Sequence, residues 1–193
     1  MKKIILTSLG ALLIAGAANA ADMKPYASLK LGYSSVDGTV KAGGVEFPFD
    51  NKLTGFVGAI AGGAAFQTSD IVGLRGEVEY SYSQVKGEVD EGSGDTKVTD
   101  HAFLLGGYAD FGGTQWNGVN PYVGLNVGYV LGDSDGDDAS GIAYGVSLGV
   151  SYAINKNLAA DLGVRYLLVG RSTDNADVST ETLSILLGAR YTF

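Results

Sequence analysis

The chain has 193 residues, 30 of them glycine, with no cysteine, one histidine and a formal charge of −8. Without cysteine there is no disulfide framework, thiol nucleophile, iron–sulfur cluster or cysteine-bound zinc. The single histidine excludes histidine-cluster metal sites, and the acidic balance argues against nucleic acid as a partner.

Met1 to Ala20 has the form of a secretory signal peptide: Lys2 and Lys3, then a largely apolar run from Ile4 to Ala18, then Ala18-Asn19-Ala20 as a small-x-small cleavage site. The apolar run is short of the ~20 residues that a membrane-spanning helix needs. The expected domains are therefore a leader at 1–20 and one exported domain at 21–193. Losing the two lysines takes the charge from −8 to −10. No later segment reads as a spanning helix. An exported chain of this kind is either soluble or a closed barrel, because only helices and closed barrels satisfy the backbone in lipid.

From Pro25 onward apolar residues alternate with period two, the strand signal. Segment 26–35 sets Leu29, Leu31 and Tyr33 against Ser28, Lys30 and Gly32. Segment 53–66 is ambiguous: Phe56, Ile60 and Phe66 suggest one face, while Val57, Ala59 and Ala61 lie on the other. Segment 72–86 sets Val72, Leu74, Val78, Tyr80 and Tyr82 against Arg75, Glu77 and Glu79. Segment 98–111 sets Phe103, Leu105, Ala109 and Phe111 against Tyr108 and Asp110. Segment 121–132 sets Val123, Leu125, Val127, Tyr129 and Leu131 against Gly124, Asn126 and Gly128. In 142–154 the apolar face runs from Ile142 through Val146 to Ile154, against small residues such as Ser147. Segment 158–169 sets Leu158, Leu162, Val164, Tyr166 and Leu168 against Asp161, Gly163 and Arg165. Segment 182–193 sets Leu183, Ile185, Leu187, Ala189, Tyr191 and Phe193 against Ser184, Gly188, Arg190 and Thr192.

Eight such segments match strands that cross a bilayer at a tilt. The connections 37–52, 87–97, 133–141 and 170–181 read as long and polar. Those at 67–71 and 155–157 are short, and 112–119 is intermediate. Long outer loops with short inner turns place both termini in the periplasm.

Alternation alone fits a soluble barrel too. Three features favour an apolar face turned to lipid. The other face is mostly glycine, alanine and serine, which suits the crowded bore of an eight-stranded barrel. Its charges balance: Lys30, Arg75, Arg165 and Arg190 against Glu77, Glu79, Asp110 and Asp161. Buried charges need such partners. The aromatics also fall at two heights, as in the girdles of membrane barrels. Tyr33, Phe56, Tyr80, Tyr82, Phe103, Tyr129, Tyr144 and Tyr166 lie toward the loops; Phe66, Phe111, Tyr152, Tyr191 and Phe193 lie toward the turns.

PYASLKLGYS at 25–34, LRGEVEYSYS at 74–83, NPYVGLNVGYVLG at 120–132 and LGARYTF at 187–193 make the chain resemble the small eight-stranded outer-membrane barrels, OmpA-like and opacity-protein-like. The resemblance implies an all-β fold, a closed antiparallel eight-stranded transmembrane barrel, in a Gram-negative outer membrane. It also implies membrane lipids and lipopolysaccharide as surroundings. The last strand, ending at Phe193, resembles the signal read by the barrel-insertion machinery.

No catalytic, cofactor-binding or metal-binding residue set is expected. His101 lies on the lipid-facing parity, and the Ala102-Phe103 that follows gives no His-x-Ser arrangement; an interfacial polar residue is the reading. Glu77 and Glu79 could form an acid–base pair, but ion pairing with Arg75, Arg165 and Arg190 accounts for them better. Asp133 to Asp138 resembles the start of a calcium loop but departs from it. The sixth position is Asp138 where glycine is needed, and the twelfth is Tyr144 rather than glutamate. A solvated acidic loop is the default reading, with weak divalent binding as the alternative. The expected function is a non-enzymatic surface protein serving membrane integrity, adhesion or both through four loops, monomeric, with any host or surface ligand at those loops. The alternatives are a small porin-like channel and, behind it, a lipid-modifying enzyme.

Overall fold

The computed structural model describes residues 23–42, 45–48, 52–88, 95–112, 117–134, 137–172 and 177–193. The expected leader lies outside them. Nine strands follow in order: β1 Met23–Ala42, β2 Val45–Pro48, β3 Leu53–Gln67, β4 Val72–Glu88, β5 Asp95–Phe111, β6 Val119–Ser134, β7 Asp137–Ala153, β8 Leu158–Ser172 and β9 Asp177–Thr192. The eight long strands pair antiparallel in sequence order, and β1 closes on β9. The short β2 lies outside the closed sheet, folding back on the end of β1 from Thr39↔Pro48 to Ala42↔Val45.

Register fixes the geometry. Followed once around from Leu29, the cross-strand partners are Ile60, Tyr80, Phe103, Tyr129, Ile142, Gly170 and Ser179, returning to β1 at Thr39. The shear is therefore ten residues, from 29 to 39. With ordinary strand rise and spacing, that shear over eight strands sets a tilt of about 40°.

The lipid-facing parity is the one expected. Leu125, Val146, Leu148, Ile185 and Leu187 are exposed, whereas the alternate residues Asn126, Ser147 and Ser184 are buried. The ambiguous third strand resolves the same way: Phe56 and Ile60 point out, and Val57, Ala59 and Ala61 line the bore. Outward aromatics form two rows. Tyr33 pairs Phe56, and Phe103 pairs Tyr129, in the row toward the loops. Phe103 and Phe111 on β5, and Tyr144 and Tyr152 on β7, are each eight residues apart along one strand. At this tilt that separates the rows by roughly 20 Å, close to the height of an outer-membrane apolar band.

At the turn end the polar side chains substitute for missing strand partners. Ser69 Oγ accepts from Val72 N at 3.1 Å. Asn155 Oδ1 accepts from the backbone N–H groups of Asn157 and Leu158, both at 2.9 Å. Between β5 and β6, Gly112, Asn117 and Gly118 take positive φ of 119°, 48° and 83°. Glycine and asparagine tolerate such values best.

The loop end departs from expectation. The connection expected at 37–52 contains the end of β1 and the β2 hairpin. Much of 87–97, 133–141 and 170–181 is strand, leaving 89–94, 135–136 and 173–176 outside the described residues. The physical reason is that ladder hydrogen bonds continue into water without needing an apolar face. Hydrophobic alternation marks only the part of each strand that meets lipid. The calcium-loop look-alike at Asp133–Asp138 falls on the β6–β7 end, and its middle lies outside the described residues.

Candidate functional site

The alternation that faces bulky residues to lipid brings all eight expected lumen charges together. Lys30 on β1 places Nζ 2.6 Å from both Glu77 and Glu79 on β4. Arg165 on β8 donates to both oxygens of Glu79, at 2.5 and 2.9 Å. Arg75 donates through Nε to Asp110 at 2.6 Å. Arg190 reaches Asp161 at 3.5 Å and donates to Ser151 Oγ at 2.9 Å, while Ser151 donates to Asp161. The expectation that Glu77 and Glu79 pair with Arg75, Arg165 and Arg190 is thus corrected in part. Only Arg165 does so; Lys30 serves both glutamates. The cause is register, since Asp110 is the partner of Gly73 and lies diagonal to Arg75 on the same inner face.

Three inward tyrosines complete the network. Tyr26 donates to Glu77 at 3.0 Å, and the Tyr108 hydroxyl lies 2.9 Å from both Glu77 and Asn126 Oδ1. Asn126 Nδ2 donates to Ser147 at 2.8 Å. The Arg75 guanidinium sits over the rings of Tyr108 and Tyr122, 4.7 and 5.0 Å from their centroids. Glycines make room for these rings: a Cβ on Gly124 would strike Tyr108, and one on Gly149 or Gly163 would strike Tyr122.

The loop half of the bore is apolar. Ala102, Leu104, Val130, Ala143, Leu167 and Val169 form one buried cluster, and Val36, Leu53 and Val85 another. Above them Arg171 donates to Asp100 at 2.6 Å, from β8 to β5. The sequence reads this face as mostly glycine, alanine and serine with matched ions, and the structure adds a layer of larger apolar residues to it. Its residues share the polar parity, where their apolar character reads as noise. Packing explains them: past the ion network, the bore still has to be filled without unpaired polar groups.

Two spaces remain. An interior void of about 20 Å³ lies among Lys30, Arg75, Tyr108, Tyr122, Asp161 and Arg165, enough for about one water. A cavity of about 240 Å³ opens at the turn end, walled by Tyr26, Arg75, Asp110 and Arg190 and rimmed by Lys24 and Lys156. His101 points outward on β5 at the height of the loop-side aromatic row, its Nδ1 2.7 Å from the Tyr80 hydroxyl and its ring edge-on to Tyr82. Among the described residues no three histidine, aspartate or glutamate side chains are arranged to hold a metal ion.

A closed, sheared, eight-stranded barrel with aromatic rows outside and an ion network inside defines a transmembrane β-barrel. The chain belongs to the outer membrane protein beta-barrel domain family, whose model matches residues 4–193. Solved structures are similar at low identity. Neisserial surface protein A is 21% identical with a TM-score of 0.60, covering 86% of this chain and 97% of that one. OprG from Pseudomonas aeruginosa is 16% identical with a TM-score of 0.52, covering 89% and 97%. The outer membrane protease OmpT from Escherichia coli is 9% identical, also at 0.52, covering 88% and 97%. At such identities these likenesses show the fold, and the protease among them illustrates that this fold does not fix an activity. No curated protein matches the sequence.

Proposed function

We propose that this outer-membrane barrel is a non-enzymatic, monomeric surface protein that supports membrane integrity, adhesion or both through its loop end, with its termini toward the periplasm. The observation that carries this reading is the filled bore. Charge pairs occupy its turn half and apolar side chains its loop half beneath the Arg171–Asp100 pair; the network encloses a void of only about 20 Å³, and the wider space of about 240 Å³ opens at the turn end. A conducting path through the packed loop half does not fit such an interior; water-filled porins use 16–18 strands. The similarity to Neisserial surface protein A supports the same direction.

On this reading the lipid-facing band contacts membrane lipids and lipopolysaccharide, a host or surface ligand binds at the loops, and the strand ending at Phe193 is presented to the barrel-insertion machinery. Deleting 89–94 and 173–176 separately, with folding checked by heat-modifiable gel migration, tests the assignment. Loss of adherence or of detergent resistance with the barrel intact is the expected result. Unchanged phenotypes, together with stable single-channel conductance of the wild type, would favour the small pore instead. Altered lipid A on overexpression would favour a lipid-modifying enzyme.

A further inference from the structure

The outer face of the β4–β5 pair holds an opposition that strand pairing disfavours. Lys86 and Lys97 are direct cross-strand partners, both exposed, on the parity that meets lipid lower down. Like charges set directly opposite are destabilising. Among the described residues neither lysine forms an ion pair. One pair higher the register opposes Glu88 to Asp95, and lysine–carboxylate pairs in water contribute little. Below the lysines the same face becomes a column of hydrogen-bond donors. Tyr82 partners His101, and Tyr80 partners Phe103 in the loop-side aromatic row. Gln84 Nε2 donates to the Tyr82 hydroxyl at 2.9 Å, which leaves that hydroxyl its own hydrogen to give. The Tyr80 hydroxyl lies 2.7 Å from His101 Nδ1; where it donates, the ring hydrogen of His101 sits on Nε2. The β1–β9 pair is the reverse case: four residues above Tyr33, Asp37 faces Glu181.

We propose that this column binds the phosphorylated headgroup of an outer-leaflet glycolipid. The assignment rests on the reading above that the loop end faces outward. Height carries it first. Lys86 stands four residues above Tyr82 on β4, which at the barrel's tilt is roughly 10 Å along the membrane normal. Aromatic rows sit at headgroup level. A lysine leaning down its own stem by about 6 Å, as lysines do at a membrane surface, brings its ammonium close to that layer. Charge carries it second. A phosphate dianion between the two ammonium groups satisfies both and cancels their repulsion, while Tyr82 and His101 supply donors from below. The acyl chains of the same molecule continue down onto Val78 and Leu105, the next outward pair. The β1–β9 face, with Asp37 opposite Glu181, repels such a headgroup, so the phosphate is held on one side of the barrel.

The test places the full barrel in phosphatidylcholine nanodiscs that hold equal small amounts of diphosphoryl lipid A and its fully dephosphorylated form. The barrel is then extracted into an uncharged detergent, and the lipids it retains are counted by mass spectrometry. The wild type should retain the phosphorylated form about tenfold or more over the other, the order expected of two ammonium groups at a phosphorylated surface. Lys86→Gln with Lys97→Gln should bring that ratio close to parity, and Lys86→Arg with Lys97→Arg should keep most of it. Lys24→Gln with Lys156→Gln removes the same charge at the turn end and should leave the ratio unchanged. Heat-modifiable migration confirms that each variant is folded. Equal retention of the two lipids by the wild type, full enrichment in the Lys86 and Lys97 glutamine variant, or the same loss in the turn-end variant would each overturn the assignment. Undiminished enrichment alongside loop deletions that change no phenotype would count against the adhesion and integrity reading alone and support this one.

Discussion

Arg165 grips both oxygens of Glu79 across the bore, at 2.5 and 2.9 Å, joining strands that are not neighbours in the sheet. The two side chains are 6% and 1% exposed, so this is a buried pair. Removing one partner strands the other charge. Glu79→Gln should destabilise the barrel by about 3–5 kcal/mol, measured by urea unfolding from lipid vesicles. Replacing both, as Glu79→Leu with Arg165→Met, should cost much less than the sum of the single changes. Additive losses would mean that the pair is not coupled.

The apolar layer predicts a different response. Leu104, 2% exposed, packs with Ala102, Val130 and Leu167 inside the bore rather than against lipid. Leu104→Ala should cost about 2–5 kcal/mol by the same unfolding measurement, because it leaves a cavity that its neighbours fill only in part. Leu125→Ala, on the lipid face at 69% exposure, should cost clearly less. Equal costs would place Leu104 outside.

Gly149 gives a test of ring packing. A side chain there would meet both the Leu162 backbone and the Tyr122 ring. Gly149→Val should lose about 1–3 kcal/mol through overpacking, and Tyr122→Ala in the same chain should recover part of that loss. No recovery would show that the clash is with the backbone alone.

These positions also show which parts of the structure can be read from the sequence. Leu148 and Val150 alternate with Ser147, Gly149 and Ser151, so parity alone places that strand and its faces. The matched charges from Lys30 to Arg190 are legible for the same reason. Their partners are not, because pairing depends on shear: Arg75 meets Asp110 through a register that only the closed sheet sets. Val57 and Leu104 mislead because an inward apolar residue looks like an outward one. Tyr26 and Tyr122 go unassigned because an aromatic fits a girdle or a bore equally well. Asp100 and Arg171 sit 71 residues apart with no local signal that they meet.

The central claim is that bulky alternate residues face hydrocarbon while their neighbours fill the bore. Val146 is 44% exposed and Ser147 is 5% exposed, adjacent on β7. Spin labels at each, in the barrel reconstituted in vesicles, measure accessibility to oxygen, which concentrates in lipid. The account predicts strong relaxation of the label at Val146 and weak relaxation at Ser147. The reverse order would contradict it.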